Sequence, residues 1–326
     1  MSLFHKEQSC LGVDIGAGGI KLVELRVRKG RPVLWTYAVA NKQLNVHSLA
    51  PADKTVAELL PRPPVAPAPA PEIEDQRIPA YAELLRETAR RAKVTARAAV
   101  ASLPVSSVFH TIITLPPVKD KELSHHVSAK IKKMLPHPIE EMQVVHQIIP
   151  NEDNQAEAMR VLVTAAPKSV VQFYTSIFHA AGLQLQELET EAFALERSLV
   201  GLDSTTAMII DVGEERTNFF IIDGRLPLVH RSMQMGGRMI AIALSRLWSV
   251  SPADAEIMMR DLSSCPAAGT EAGKFQEITE PIIKEISYSM DVFLHQTGNE
   301  NKRPEKIILT GGAAVFPPLL AAIAAA

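Results

Sequence analysis

The strongest constraint on this chain is an internal repeat. Residues 11–40, LGVDIGAGGIKLVELRVRKGRPVLWTYAVA, can be laid over residues 207–235, AMIIDVGEERTNFFIIDGRLPLVHRSMQM. Each copy opens with an apolar run that ends in Asp-x-Gly, at Asp14 to Gly16 and at Asp211 to Gly213. A second, partly alternating run follows, Lys21 to Val27 and Asn218 to Ile222. Each copy then turns at a Gly-Arg step, Gly30-Arg31-Pro32 and Gly224-Arg225-Leu226-Pro227, and enters a third strand. Three consecutive antiparallel strands, written twice roughly 195 residues apart, predict a duplicated domain rather than a solenoid.

Between and after the copies the pattern alternates strands with helices. Helical spacing is expected over Tyr81 to Lys93, Lys121 to Met134, Lys168 to Ala181 and Glu191 to Val200. Strands are expected at Ala98 to Ser102, Val108 to Leu115, Met142 to Ile149, Met159 to Ala165 and Leu183 to Leu188. Helix Lys168 to Ala181 has an apolar face through Val171, Tyr174, Ile177 and Phe178, and Gly182 supplies its stop. After the second copy come helices Arg238 to Trp248, Ser251 to Leu262 and Glu277 to Gln296, then strand Lys306 to Leu309. Ser251-Pro252 is a natural helix entry, with Ser as N-cap and Pro in the first turn. The order βββ, α, β, α occurs twice, which predicts an α/β protein with two similar halves facing a cleft. The run PRPPVAPAPAP at 61–71 cannot enter a helix or a sheet interior and is expected to be an extended surface loop.

Composition narrows the function classes. A length of 326 residues is enough for about two domains. The net charge of -2 gives no basic bias toward nucleic acid, and Arg90, Arg91, Lys93 and Arg97 read as a solvated helix face. Cys10 and Cys265 are the only cysteines, which fits a reducing compartment and argues against a disulfide framework or a zinc site. Met1 to Ser9 lacks the apolar stretch of a secretion signal, and no run reaches the ~18 apolar residues of a membrane span. The expectation is a soluble, cytoplasmic protein that meets a membrane only through partners. The ten histidines show no metal spacing, and the adjacent His125 and His126 fall on different sides of a helix. Met233, Met235, Met239, Met258 and Met259 are expected in the core or lining the cleft.

A hairpin with Asp-x-Gly at the end of its first strand suits phosphate chemistry. Gly16, Gly18 and Gly19, with Ala17 between them, would let backbone N–H groups approach phosphate oxygens closely. The carboxylate of Asp14 would hold Mg²⁺ through water, because magnesium dehydrates reluctantly, and Lys21 would add positive charge. In the second copy Asp211, Gly213 and Thr217 occupy the matching places, with Asp211 as the second magnesium carboxylate. GAGGIK at 16–21 lacks the Gly-Lys-Ser/Thr ending of a P-loop and the third glycine of GxGxxG. Both of those motifs need a following helix, whereas KLVELRVR reads as a strand. Gly236-Gly237 opens a helix, and Gly311-Gly312 follows a short strand where the backbone could pass under an adenine or ribose ring.

At this point a resemblance can be stated. VDIGAGGIKLVEL, IIDVGEERTNFFII and IILTGG resemble the two phosphate motifs and the adenosine motif of the actin, Hsp70 and sugar-kinase superfamily. The segment ASLPVSSVFHTIITLPPVKDKELSHHVSAKIKKMLPHPIEEMQVVHQII, with EAFALERSL, resembles the PilM family of type IV pilus assembly proteins and more distantly FtsA. The resemblance implies a duplicated actin-like, RNase H-like ATPase fold with an inserted SHS2-type α+β subdomain. Residues 1–40 and 166–203 would form the first actin-like subdomain, 41–165 the Pro-rich insertion and the SHS2-like subdomain, and 204–326 the second half. It also implies ATP and Mg²⁺ as cofactors and docking of the N-terminal peptide of the inner-membrane protein PilN. Ring-like self-association and contact with pilus motor components would follow from the same likeness, on a cytoplasmic platform beneath the membrane.

Two departures from the family pattern stand out. Ala17, Gly18 and Gly19 remove the hydroxyls usual in the first phosphate loop. In the helix after Ser251 the family pattern Glu-Ala-Glu-x-x-Lys reads Asp254-Ala255-Glu256-Ile257-Met258-Met259, so Glu256 is kept near the ribose while the Lys is lost. Arg260 lies one position further on, turned ~100° round the helix. The last residues fall in the helix expected after Gly312, and the family pattern continues with a further strand and helix.

Hydrolysis would need a group to orient water. Glu189 and Glu191 are the two placed candidates, and a surface or helix-start Glu is the favoured reading of each. The expectation is nucleotide binding with slow or no turnover. Two rivals are a small-molecule kinase of the same superfamily, which would need a further cleft Asp, and an FtsA-like filament protein.

Overall fold

The computed structural model describes residues 9–46, 75–149, 158–260, 272–296 and 299–325. Its strands are β1 (Ser9–Gly16), β2 (Gly19–Arg28), β3 (Arg31–Asn41), β4 (Ala98–Leu103), β5 (Phe109–Leu115), β6 (Met142–Ile149), β7 (Met159–Pro167), β8 (Gln184–Thr190), β9 (Ala207–Val212), β10 (Thr217–Asp223), β11 (Leu226–Met233) and β12 (Lys306–Thr310). Its α-helices are α1 (Arg77–Arg91), α2 (Asp120–Ile131), α3 (Lys168–Ala181), α4 (Glu191–Leu195), α5 (Gly237–Trp248), α6 (Pro252–Arg260), α7 (Gln276–Leu294) and α8 (Pro317–Ala325). The chain divides into two compact units: Met1–Val108 with Leu135–Gln143 and Ala165–Glu189, and Phe109–Met134 with Val144–Thr164 and Thr190–Ala326.

The first unit is built on a five-stranded sheet in the order β3-β2-β1-β4-β8. β1 pairs antiparallel with β2 and parallel with β4. Strict alternation in β1 sends Leu11, Val13 and Ile15 into the core, where Leu85 of α1 and Val170, Tyr174, Ile177 and Phe178 of α3 meet them. Tyr81 and Phe173 pack edge to face with ring centroids 5.8 Å apart. Gly182, at φ 78°, ends α3 in the left-handed conformation that glycine adopts at least cost.

One buried charge ties this sheet to the segment before β4. The Glu24 carboxylate accepts from the Thr95 N–H at 2.7 Å, the Thr95 hydroxyl at 2.6 Å and Arg26 Nε at 3.3 Å. Burial alone would push this carboxyl up, and the Thr95 and Arg26 hydrogen bonds together hold it below the usual carboxylate range.

The second unit carries a four-stranded sheet in the order β11-β10-β9-β12, with β12 parallel to β9. Here the runs AMII and FFII are continuous rather than alternating, and both faces of β9 and β10 are buried. Met208, Ile210, Phe219 and Ile221 pack with Ile240 and Leu244 of α5, Ile278, Ile282 and Phe293 of α7, and Leu319 of α8. A three-stranded sheet, order β5-β7-β6, falls mainly in this unit.

Most element boundaries agree with the sequence reading, and β6 and α3 agree at both ends. α1 begins at Arg77 rather than Tyr81, because the Asp75 carboxylate accepts from the Arg77 N–H at 3.0 Å and starts the helix earlier. The helix expected over 191–200 is α-helical to Leu195 and widens to a π-turn over Glu196–Val200. Ser251 caps α6 as expected, its Oγ accepting from the Asp254 N–H at 3.1 Å. Tyr174, Ile177 and Phe178 are buried with Phe173 and Val170, while Val171 sits at the margin. Met259 is buried, but Met239 and Met258 are exposed, because each lies on the outer side of its amphipathic helix. The Pro-rich run at 61–71 and Cys265 lie outside the described residues.

Candidate functional site

The first Asp-x-Gly hairpin places Asp14 directly opposite Lys21 in the β1–β2 register. Lys21 Nζ donates to Asp14 Oδ2 at 2.8 Å, so the two charged residues expected at this hairpin form an ion pair with each other. Gly16 closes β1 and pairs with Gly19. Gly19 has φ +134°, and a Cβ there would collide with the Ala40 carbonyl, so only glycine fits. The hairpin tip is held from beneath: Lys42 N–H donates to the Gly18 carbonyl at 3.1 Å and Leu44 N–H to the Ala17 carbonyl at 2.9 Å. Ala17 is buried in the core, whereas Gly18 is exposed.

The second hairpin gathers more of the expected residues. Asp211 lies beside Thr310 of β12 on one side and beside Asn218 of β10 on the other. Gly311 follows at φ +97°, and a Cβ there would collide with the Val212 carbonyl and lie 2.6 Å from Asp211 Oδ1. The Gly213 N–H donates to Arg216, and its carbonyl accepts from the Gly237 N–H at 2.8 Å. Gly236 packs so tightly on the 214–216 turn that a Cβ would sit 2.6 Å from the Glu214 carbonyl. Asp211, Gly213, Gly236, Gly237 and Gly311 therefore converge at one end of the sheet. Gly312 has open space beside it.

The remaining candidates are engaged by neighbours of their own. Thr217 is fully buried, and its hydroxyl donates to the Met235 carbonyl at 2.6 Å. Glu256 is paired with Arg260 along α6 at 2.6 Å, so the arginine one position beyond the missing lysine holds the retained glutamate. Glu189 ends the first unit on β8, while Glu191 opens α4 in the second. Of the two, Glu191 reaches β10, the strand next to that of Asp211: its Oε2 accepts from Nδ2 of Asn218, the cross-strand partner of Asp211, at 3.4 Å.

Sequence reasoning passed over Asn218, although the signal was present. Lys21 follows Asp14 by seven residues, and Asn218 follows Asp211 by the same seven, which gives the same cross-strand pairing. Asn218 is buried and its Oδ1 has no hydrogen-bond partner. Also missed were Glu214 and Glu215 in the second turn; Arg238 at the start of α5 holds both, at 3.6 and 2.9 Å. This clamp ties two acidic side chains of the turn to one guanidinium.

An orphaned buried oxygen beside a carboxylate fits a hydrated divalent cation, which takes oxygen acceptors through its own water. Asp211, Asn218 and Glu191 are the residues that would hold magnesium in the second unit. Among the described residues, no three His, Cys, Asp or Glu side chains are clustered so as to grip a metal directly.

The family model described as "Type IV pilus assembly protein PilM" matches residues 12–326. The chain belongs to the PilM family. A solved structure described as "PilM-PilN type IV pilus biogenesis complex" matches with a TM-score of 0.72 at 22% identity, covering 96% of this chain and 84% of that one. The fold is thus the duplicated α/β actin-like fold of that family. Two other similar structures are ethanolamine utilization protein EutJ from Carboxydothermus hydrogenoformans (TM-score 0.47, 14% identity, covering 97% of this chain and 81% of that one) and MreB5 of Spiroplasma citri bound to ADP (0.42, 14%, 95% and 86%). Among the described residues no helix is long and apolar enough to cross a membrane.

Proposed function

We propose that this chain is an ATP-binding, actin-like scaffold of the type IV pilus inner-membrane assembly platform, and that it docks the N-terminal peptide of PilN. The family match over residues 12–326 carries this reading, and the solved PilM-PilN complex of the same fold supports the choice of partner. The division at 1–40 with 166–203, 41–165 and 204–326 belongs to the same proposal, as does a cytoplasmic location reached through PilN.

The residues of the two hairpins supply the nucleotide contacts. Asp211, Asn218 and Glu191 offer oxygen acceptors to the water shell of magnesium, which supplies charge neutralisation for the phosphates when bound. Gly213, Gly236 and Gly237 hold the turn beside them in one shape through backbone contacts. Arg238 keeps Glu214 and Glu215 restrained. Asp14 is engaged by Lys21, whereas the residue opposite Asp211 is Asn218, so the second copy is taken as the dominant cation holder. Glu191 is tied to Asn218 rather than poised alone, which favours binding with slow or no turnover.

The experiment is capture of a tagged PilN N-terminal cytoplasmic peptide by the purified chain, with a sequence-scrambled peptide as control. Saturable capture of the native peptide alone supports the scaffold assignment. Equal capture of both peptides, or of neither, contradicts it.

A further inference from the structure

The two copies of the repeat differ in one respect that function at the nucleotide does not explain. In the second unit β10 is buried on both faces and half of β11 is buried. The matching hairpin in the first unit is open: none of the eleven residues of β3 is buried. Exposure is therefore not a property of the repeated motif but of this copy.

β3 is the outer strand of its sheet, and among the described residues it pairs only with β2. α1 closes its inner side, where the Thr36 hydroxyl donates to the Ala92 carbonyl at 2.8 Å. The other face carries apolar side chains in cross-strand rows: Tyr37 with Val23, and Leu34 with Leu25, followed by Val39 beside Lys21. Tyr37, Val39 and Leu34 are 69%, 58% and 55% exposed, values at which a strand of this length is an interface or an aggregation hazard.

Charge selects the occupant. From residue 21 to residue 42 the hairpin carries Lys21, Arg26, Arg28, Lys29, Arg31 and Lys42, and its one acidic residue, Glu24, is fully buried. Arg26 is committed to Glu24 and stacks on Trp35 with 3.5 Å to the ring centroid. Arg28, Lys29 and Arg31 stand exposed at the turn. A second copy of the same hairpin would bring like charges together. A lipid surface cannot satisfy the outward backbone groups of an edge strand. A strand from another protein satisfies them, extends the apolar rows and answers the charge.

We infer that β3 is a docking edge for an extended segment of a partner protein, apolar at alternate residues and acidic at the end that meets the Arg28–Arg31 turn. The inference does not depend on nucleotide or on PilN, so its test is run without either. Two labelled nine-residue peptides of alternating Val and Thr, with Glu-Asp at one end or the other, are titrated into the full chain and followed by anisotropy. One of them binds, and the double variant Arg28→Glu/Arg31→Glu weakens it by at least about tenfold. A central proline in the peptide abolishes binding, and the variant melts at the wild-type temperature because both side chains are exposed. The inference is overturned if neither peptide binds below about 1 mM, or if the charge reversal leaves binding unchanged. It is also overturned if the chain alone dimerises, or binds phosphatidylglycerol vesicles, in a manner lost in Tyr37→Thr/Val39→Thr.

Discussion

Asp14 and Lys21 face each other across the β1–β2 ladder and form an ion pair at 2.8 Å, while Asp211, at the matching place in the second hairpin, faces Asn218. One repeat thus carries an internally neutralised carboxylate, and the other a carboxylate beside a buried amide. The Asp14–Lys21 pair is well exposed, so its contribution to stability is small: Lys21→Met is expected to change unfolding free energy by less than about 1 kcal/mol in urea titration. A larger loss would mean that the pair is a structural element of the hairpin.

Gly311 and Gly312 are adjacent in sequence and opposite in tolerance. Gly311→Ala must adopt a positive φ and push against Val212 and Asp211, at a cost of roughly 3 kcal/mol. Gly312→Ala meets open space and is expected to stay within about 0.5 kcal/mol of wild type. Thermal melts of the two variants check the difference, and equal melting temperatures would contradict the packing at Asp211.

His110 makes the second unit acid-sensitive. Its Nε2 bonds the Pro227 carbonyl at 2.6 Å, and its ring lies 4.5 Å from that of His230. Burial pushes its pKa down to about 4, with the Pro227 carbonyl pulling the other way. A histidine whose folded pKa lies below its unfolded value of about 6.5 favours the unfolded chain as protons bind. Stability is therefore full above about pH 6.5 and falls toward pH 4, by up to about 3 kcal/mol. His110→Gln should flatten this part of the pH–stability curve measured by urea titration.

Glu24→Ala removes the acceptor for the Thr95 N–H, the Thr95 hydroxyl and Arg26. Leaving these donors beside a buried gap is expected to cost about 3 kcal/mol in chemical denaturation. Because the hydrogen bonds hold the folded carboxyl below its unfolded value, its contribution is present above about pH 4.5 and is lost on further acidification.

Much of this was legible from the residues. The duplicated Asp-x-Gly hairpins, the glycine pairs and the helix–strand order are local patterns, and local hydrogen bonding realises them. The alternation KLVELRV against the run FFII already contained the difference between a sheet with one open face and a sheet buried on both. What local pattern could not give was pairing across strands and between helices. Thr217 was named and Asn218 was not, yet the register sets Asn218 beside Asp211, while the Thr217 hydroxyl is spent on the Met235 carbonyl. The clamp of Arg238 on Glu214 and Glu215 joins residues more than twenty positions apart, and no spacing rule announces it.

The central claim is that magnesium and ATP bind chiefly through the Asp211 copy of the repeat. A fluorescent-ATP titration with and without Mg²⁺, on wild type, Asp14→Ala and Asp211→Asn, tests it most directly. Wild type should bind only with magnesium, Asp211→Asn should lose at least about tenfold in affinity, and Asp14→Ala should lose less. Magnesium-independent binding, no binding by the wild type, or a larger loss at Asp14 than at Asp211 would contradict the account.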